Sequence, residues 1–131
     1  MTQYLSPADA TRIHAEILAR AQQVGELLDE GKLESALLRA ANAAFYEGAD
    51  LWAQAATLTA GVALAHAFSD GNKRLAAALG VIFLDLNGVS LVAEPIALAD
   101  AVLALVKRDV PLDAAVDRFA DWLRAQPTED P

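Results

Sequence analysis

The sequence of 131 residues contains no cysteine. Disulfide bonds and thiolate chemistry are therefore excluded, and the lack of cysteine favours a cytoplasmic location. The first residues, MTQYLSPADATR, contain no basic segment followed by an apolar one, so we expect no secretory signal.

Aromatic side chains are also scarce, at 6% of a chain that is 55% hydrophobic. The core must therefore consist of Ala, Leu and Val, which favours closely packed helices over a β-sandwich. The longest apolar run, residues 75–84, ends at Asp85 and is too short for a membrane span. We expect no membrane-spanning segment.

The sequence also contains few positively charged residues. It has ten Lys and Arg residues and 18 Asp and Glu residues, which gives a net charge of −8. A phosphate backbone would be repelled by such a surface, which argues against direct nucleic-acid binding. Any phosphate that the protein handles must be met by a local positive site. The length predicts one domain, residues 1–131.

Helix-start and helix-stop residues divide the chain into about six helical segments. Ser6, Pro7 and Asp9 form a helix-start signature, and Gly31 is the expected end of that first helix. The second helix is predicted over residues 33–44. Asp50 is the predicted cap of a central third helix.

The rest of the chain continues the helical pattern. A fourth helix is predicted from Asn72 to near Gly88, and Pro95 and Pro111 start the last two. The stretch VSLVAE is compatible with an extended segment, but it has no predicted strand to pair with. We predict an all-α bundle with a frayed tail at residues 124–131.

The stretch ALAHAFSDGNKRLAAALG, residues 63–80, interrupts this apolar pattern with polar and charged residues. One helix is predicted to end just after His66 and the next to begin near Gly71. Unpaired N–H groups at a helix N-terminus attract anions, and Lys73 and Arg74 add two full charges at the same turn. Asn72 adds a neutral donor. The pattern indicates a phosphate site.

Two further residues suggest what happens to the phosphate. Asp70 is placed to hold Mg²⁺ beside a phosphate, although it also suits a helix-capping role. His66 is the candidate base, because an imidazole suits the removal of a proton from an attacking hydroxyl near neutral pH. Together these groups are typical of phosphoryl or nucleotidyl transfer. Phe68 is predicted to anchor the loop in the core.

The run HAFSDGNKR resembles the core motif of the Fic/Doc superfamily, His-x-Phe-x-(Asp/Glu)-Gly-Asn-x-Arg. Lys73 and the chain length are similar to the Doc (death-on-curing) branch, the toxins of toxin–antitoxin pairs. Looser agreement extends over YLSPADATRIHAEIL, LESALLRAA and FLDLNGVSL. The resemblance implies a Fic/Doc-like helical bundle with its active-site loop between two central helices.

The resemblance also implies a role for each motif residue. His66 would activate a target hydroxyl, and Asp70 would hold Mg²⁺ bound to ATP. The phosphates would be surrounded by Gly71, Asn72, Lys73 and Arg74. A target-aligning flap would fall at residues 33–46 and include Arg39, although the chain has Ala40 where the family often has Pro.

Two residues that differ from those usual in the broader family indicate the type of reaction. Members that transfer AMP usually have Gly in place of Lys73 and a second Arg in place of Ala77. Doc-type members share both differences and are kinases that phosphorylate a threonine of elongation factor Tu, so we predict a toxin kinase. AMP transfer and a catalytically silent binding module are the alternatives. The expected partners are the target protein and an antitoxin helix in a groove.

The remaining polar residues are predicted to be solvated. His14 is interpreted as an exposed, idle histidine. Asp113, Asp117 and Asp121 form an acidic stripe, with contact to a basic partner as the alternative. A charged surface turn contains Glu26, Asp29, Glu30 and Glu34, and Trp52 and Trp122 are assigned to the core or to a groove.

Overall fold

The computed structural model describes residues 1–129. Its helices are α1 (Pro7–Arg20), α2 (Glu30–Glu47), α3 (Leu51–Ala65), α4 (Asn72–Leu86), α5 (Pro95–Val106) and α6 (Leu112–Arg124), and its strands are β1 (Ser90–Leu91) and β2 (Thr128–Glu129). The predicted all-α bundle of about six helices is confirmed. Within residues 1–129, no helix combines the length and the apolar character needed to cross a membrane.

Several helix starts lie where their capping residues predict them. The Ser6 hydroxyl accepts a hydrogen bond from the Asp9 amide at 3.1 Å, and the Asp9 carboxylate accepts one from the Ser6 amide at 3.0 Å. This reciprocal pair satisfies two N–H groups at the start of α1. Asp50 likewise caps α3, because its carboxylate accepts from the Ala53 amide at 2.8 Å.

The predicted end of the first helix is wrong. Helix α1 ends at Arg20, and Gly31 lies in the first turn of α2. The Asp29 carboxylate caps α2 by accepting from the Lys32 amide at 3.0 Å, so α2 starts before residue 33. The chain leaves α1 through Gln22, whose φ of 55° is left-handed. Residues 21–29 therefore form a non-helical connection.

Helix α3 is the centre of the bundle and packs against α2, α4, α5 and α6. Its buried face is rich in alanine, which lets its neighbours approach closely. Between α3 and α4, the Thr59 hydroxyl donates to the Ala76 carbonyl at 3.2 Å. Phe83 of α4 is fully buried, and Trp52 and Trp122 pack against the core.

Gly80 permits this close packing of α3 and α4, so its replacement tests the arrangement. A Cβ atom at residue 80 would collide with Thr59 Oγ1. We expect Gly80→Ala to destabilise the fold by about 1–3 kcal/mol, although alanine is the better helix former. The free energy of unfolding in urea measures the change. An increase in stability would contradict this account of the α3–α4 contact.

The predicted lone extended segment does have a partner. Ser90 pairs with Glu129 and Leu91 with Thr128 in an antiparallel arrangement. The Val92 amide also donates to the Pro127 carbonyl at 2.8 Å. The prediction of a frayed tail is therefore wrong for the described part of residues 124–131, and its last two positions lie outside the described residues.

Arg124, the first residue of the predicted tail, closes α6 and joins it to α3. Its guanidinium contacts the Asp50 carboxylate at 2.9 Å and the Asp121 carboxylate at 2.7 Å. Burial opposes ionisation of Asp50, but the Ala53 amide and Arg124 outweigh it and hold the pKa of Asp50 below its ordinary value. Asp113, Asp117 and Asp121 are exposed, as predicted.

Candidate active site

The loop between α3 and α4 turns at two left-handed residues. His66 ends α3 with a φ of 51°, and Gly71 precedes α4 with a φ of 77°. Among residues 1–129, only His66 and Gln22 adopt a positive φ without being glycine. Such a conformation is uncommon for a side chain with a Cβ and is concentrated at functional sites. It ends α3 and leaves His66 exposed.

Phe68 and Asn72 hold the loop in shape. Phe68 is 3% exposed, which confirms its predicted place in the core. The Asn72 side chain accepts from the Phe68 amide at 3.1 Å and donates to the Phe68 carbonyl at 2.9 Å. The Asn72 side-chain amide, which was predicted to contact a phosphate, is thus hydrogen-bonded to the loop backbone. In this structure it closes the turn.

The first turn of α4 carries the positive charge. Within the described residues, no side chain caps this turn, in contrast to α1, α2, α3 and α5. Its amides are therefore available to an anion, with the partial positive charge of the helix N-terminus behind them. Lys73 and Arg74 are both exposed at the same turn. The structure thus brings both cations to this turn, and phosphate binding there stays a prediction.

Asp70 faces the same turn. Its Oδ1 accepts from the Gly71 amide at 2.7 Å, and its Oδ2 lies 3.8 Å from Arg74 Nη2. Within residues 1–129 there is no group of three or more His, Cys, Asp or Glu side chains suited to a metal. A single carboxylate beside a phosphate site suits Mg²⁺, which takes one or two carboxylates and completes its shell with phosphate and water oxygens.

Two cavities meet at His66. The first, here called the loop pocket, has a volume of about 310 Å³ and is lined by Ala63, His66 and residues 69–74. The second, here called the α2 groove, has a volume of about 670 Å³ and runs between α2 and α3, with Lys32, Arg39 and Leu112 in its lining. His66 lines both cavities. The structure therefore brings the predicted base and the predicted phosphate residues together.

Arg39 belongs to the other cavity. Its stem crosses α3 at Gly61, where an added Cβ would lie 2.8 Å from Arg39 Cδ. Residues 33–46, where the target-aligning flap is predicted, are helical throughout, and their contact with a target stays a prediction. Arg39 therefore lines the α2 groove from a helix and not from a loop.

A segment outside the predicted site residues borders the active-site loop. The Leu28 amide donates to the Ala67 carbonyl at 2.7 Å, and the Ser69 amide donates to the Glu26 carbonyl at 2.9 Å. Leu27 and Phe68 form an antiparallel bridge between them. Arg74 Nη2 also donates to Gln23 Oε1 at 2.7 Å. The connection 21–29, which contains Glu26 and Asp29 of the predicted charged surface turn, therefore borders the active-site loop; both side chains are exposed.

The interpretation of His14 is also wrong. Its side chain is only 3% exposed and its Nε2 lies 2.8 Å from the carbonyl oxygen of Asp70. The ring stacks on Phe68 with 3.8 Å between the centroids. A signal was present in the sequence, because His14 lies four residues from both Ala10 and Leu18 on the buried face of α1.

Comparison with known proteins agrees with this geometry. Residues 4–84, more than half of the chain, match the model of the Fic/DOC family. The chain belongs to the Fic/DOC family. The matched part contains α1 to α3, all but the last two residues of α4, and every predicted site residue of this Fic/DOC protein.

A relative extends the match to the rest of the chain. Toxin Doc of Mycolicibacterium smegmatis is 34% identical over 134 residues, and the alignment covers 98% of this chain and 99% of that protein. The similarity therefore includes α5 and α6, and the chain is a Doc-type member of the Fic/DOC family. Members of this family are in general transferases that act on proteins and use nucleotide substrates, generally with Mg²⁺.

Proposed function

We propose that this protein is a Doc-type toxin with Mg-ATP-dependent protein kinase activity. It transfers the γ-phosphate of ATP to a protein hydroxyl, by family resemblance a threonine of elongation factor Tu, and so blocks translation in the cytoplasm. The observation that carries the proposal is the position of His66, exposed where the loop pocket and the α2 groove meet.

The loop pocket suits the phosphate donor. The amides at the start of α4 and the side chains of Lys73 and Arg74 offset the negative charge of the ATP phosphates. Asp70 would hold Mg²⁺, which when bound neutralises phosphate charge and orients the phosphates. Gly71 supplies the left-handed φ of 77° with which the chain enters α4 at this pocket. The site therefore combines the electrostatic parts that phosphoryl transfer needs.

The α2 groove suits the acceptor. A hydroxyl lying there would face His66, which takes its proton as the oxygen attacks the γ-phosphorus. A new bond forms from the hydroxyl oxygen to the γ-phosphorus, the bond from that phosphorus to the β,γ-bridging oxygen breaks, and ADP leaves. Arg39 and Lys32 line the same groove, where they would align an acceptor segment.

Two positions favour the γ-phosphate over the α-phosphate. Lys73 adds a cation to the loop pocket where AMP-transferring members usually have glycine. Ala77 stands where those members usually have a second arginine, so the next turn of α4 offers no further cation to the phosphates. Its side chain lines a different groove. Reaction requires the attacked phosphorus to lie in line with the hydroxyl, and the extra cation favours a pose with the terminal phosphate there.

Labelled ATP distinguishes the proposal from its two alternatives. The protein is incubated with elongation factor Tu, Mg²⁺ and ATP labelled at either the γ- or the α-phosphate. We expect label only from the γ position. Label only from the α position would make the protein an AMP transferase, and no label from either would favour a silent binding module.

The partner that restrains this activity is proposed to be an antitoxin helix. A groove of about 510 Å³, here called the α5 groove, runs between α1, α4 and α5 and is lined mostly by apolar residues such as Ile17, Leu98 and Leu103. Lys73 and Arg74 also line it. An amphipathic helix fits this groove if its apolar face meets the apolar lining and an acidic residue meets Lys73 and Arg74. Such a helix would cover these two cations of the loop pocket.

Leu103→Glu tests the antitoxin groove. Leu103 is 38% exposed, so the variant should fold, but a carboxylate in an apolar contact should weaken binding of the cognate antitoxin by at least about tenfold. Calorimetric titration measures the Kd. Leu86→Glu is the matched control, because Leu86 is 48% exposed and lies outside the groove. Equal affinities for both variants would contradict this assignment.

A further inference from the structure

His14 joins α1 to the peptide that leads into the candidate phosphate site. Its Nε2 lies 2.8 Å from the carbonyl oxygen of Asp70, and its ring stacks on Phe68. A carbonyl oxygen can only accept a hydrogen bond, so Nε2 must carry a hydrogen atom. The buried imidazole therefore has a hydrogen atom on Nε2, and it contacts two residues of the active-site loop.

The contact determines which way the Asp70–Gly71 peptide faces. The Asp70 carbonyl and the Gly71 N–H belong to one planar peptide unit, in which they point in opposite directions. Because His14 holds the oxygen on the side of α1, the N–H faces the other way, where it donates to Asp70 Oδ1 at 2.7 Å. The orientation of the loop-pocket amide is thus tied to a side chain on α1.

The backbone alone does not fix this orientation. Gly71 has a φ of 77°, and glycine adopts positive and negative φ values about equally well. A Cβ at this position would lie 3.0 Å from Leu18 Cδ2 and 3.5 Å from His14 Nε2, so α1 packs directly against the glycine. Without the hydrogen bond from His14, the Asp70–Gly71 peptide loses the contact that holds its carbonyl oxygen on the side of α1.

We propose that His14 is a positioning residue that orients the Asp70–Gly71 peptide and thereby the Asp70 carboxylate and the Gly71 amide. The catalytic consequence rests on the proposed kinase function, whereas the structural consequence does not. His14 does not line the loop pocket, so its proposed role is one of positioning and not of contact with substrate. It acts through the loop, from a helix outside the His66–Arg74 motif.

Two substitutions separate the hydrogen bond from the packing. His14→Phe keeps a ring to stack on Phe68 but removes the donor, and we expect kcat for phosphate transfer to fall by about 10- to 100-fold. His14→Gln keeps a donor at a similar reach and is expected to stay within about threefold of the wild-type kcat. Thr59→Val is the matched control, because it also removes a buried hydrogen bond to a backbone carbonyl, at 3.2 Å between α3 and α4.

Readouts without ATP keep the test independent of the kinase activity. In His14→Phe the Gly71 amide hydrogen should exchange at least about tenfold faster than in the wild type, with no such change in Thr59→Val. In the wild-type protein, nitrogen NMR should show a hydrogen on Nε2 of His14. Absence of that hydrogen would overturn the proposal even if His14→Phe fails to fold.

The remaining outcomes are equally decisive. A His14→Phe variant with wild-type kcat and unchanged Gly71 exchange would overturn the proposal, as would a Thr59→Val variant with the same loss of kcat and the same faster Gly71 exchange. If the wild type transfers no phosphate, the proposed function fails, and the exchange and NMR measurements still test the role of His14.

Discussion

His66→Ala is expected to lower the rate of phosphate transfer by about 10²- to 10⁴-fold, the usual contribution of a general base. His66 is the exposed imidazole between the two cavities, and His14, the second histidine of the chain, is buried. Because His66 is exposed, its replacement by alanine neither removes a steric clash nor leaves a buried cavity. The initial rate with γ-labelled ATP measures the effect.

The binding of ATP serves as the control for this variant. The residues that would meet the phosphates, Lys73 and Arg74 with the first turn of α4, do not depend on the His66 side chain. The Kd of ATP should therefore change by less than about threefold while kcat falls. A His66→Ala variant that transfers phosphate at the wild-type rate would remove His66 from the role of base.

Asp70→Asn is expected to lower phosphate transfer by about a hundredfold or more and to raise the Mg²⁺ concentration required for half-maximal rate. Asparagine still accepts from the Gly71 amide, so the loop hydrogen bond at 2.7 Å can persist. What is lost is the negative charge, and a bound metal contributes several kcal/mol to charge stabilisation in the transition state. A Mg²⁺ titration of the initial rate measures both effects.

Asp109→Asn is the matched control for Asp70→Asn. Asp109 also forms an exposed ion pair, with Arg118 at 3.3 Å, and it lines neither the loop pocket nor the α2 groove. Exposed ion pairs contribute little to stability, so both variants should fold. If Asp70→Asn keeps the wild-type rate and Mg²⁺ requirement, Asp70 does not hold the metal.

The sequence predicted the parts of the site that depend on local signals. The end of α3 near His66, the start of α4 and the cations of its first turn follow from residues that lie within one stretch of chain. The same holds for the caps Ser6 and Asp50. A helix end and its cap are determined by neighbours three or four residues away, which a sequence pattern can show.

The parts that were missed depend on contacts between distant residues. His14 is 56 residues from Asp70 in sequence, and the connection 21–29 lies beside a loop more than 35 residues later. The strand at residues 128–129 pairs with Ser90 and Leu91. No local pattern specifies such pairings, because a two-residue strand or a single buried histidine has no periodicity of its own.

The direct test of the central claim is the intact mass of elongation factor Tu after incubation with this protein, Mg²⁺ and unlabelled ATP. We predict a mass increase of one phosphate group, located on a threonine, and no increase with the His66→Ala variant. A mass increase of one AMP group, or an unchanged mass with active protein present, would contradict the account.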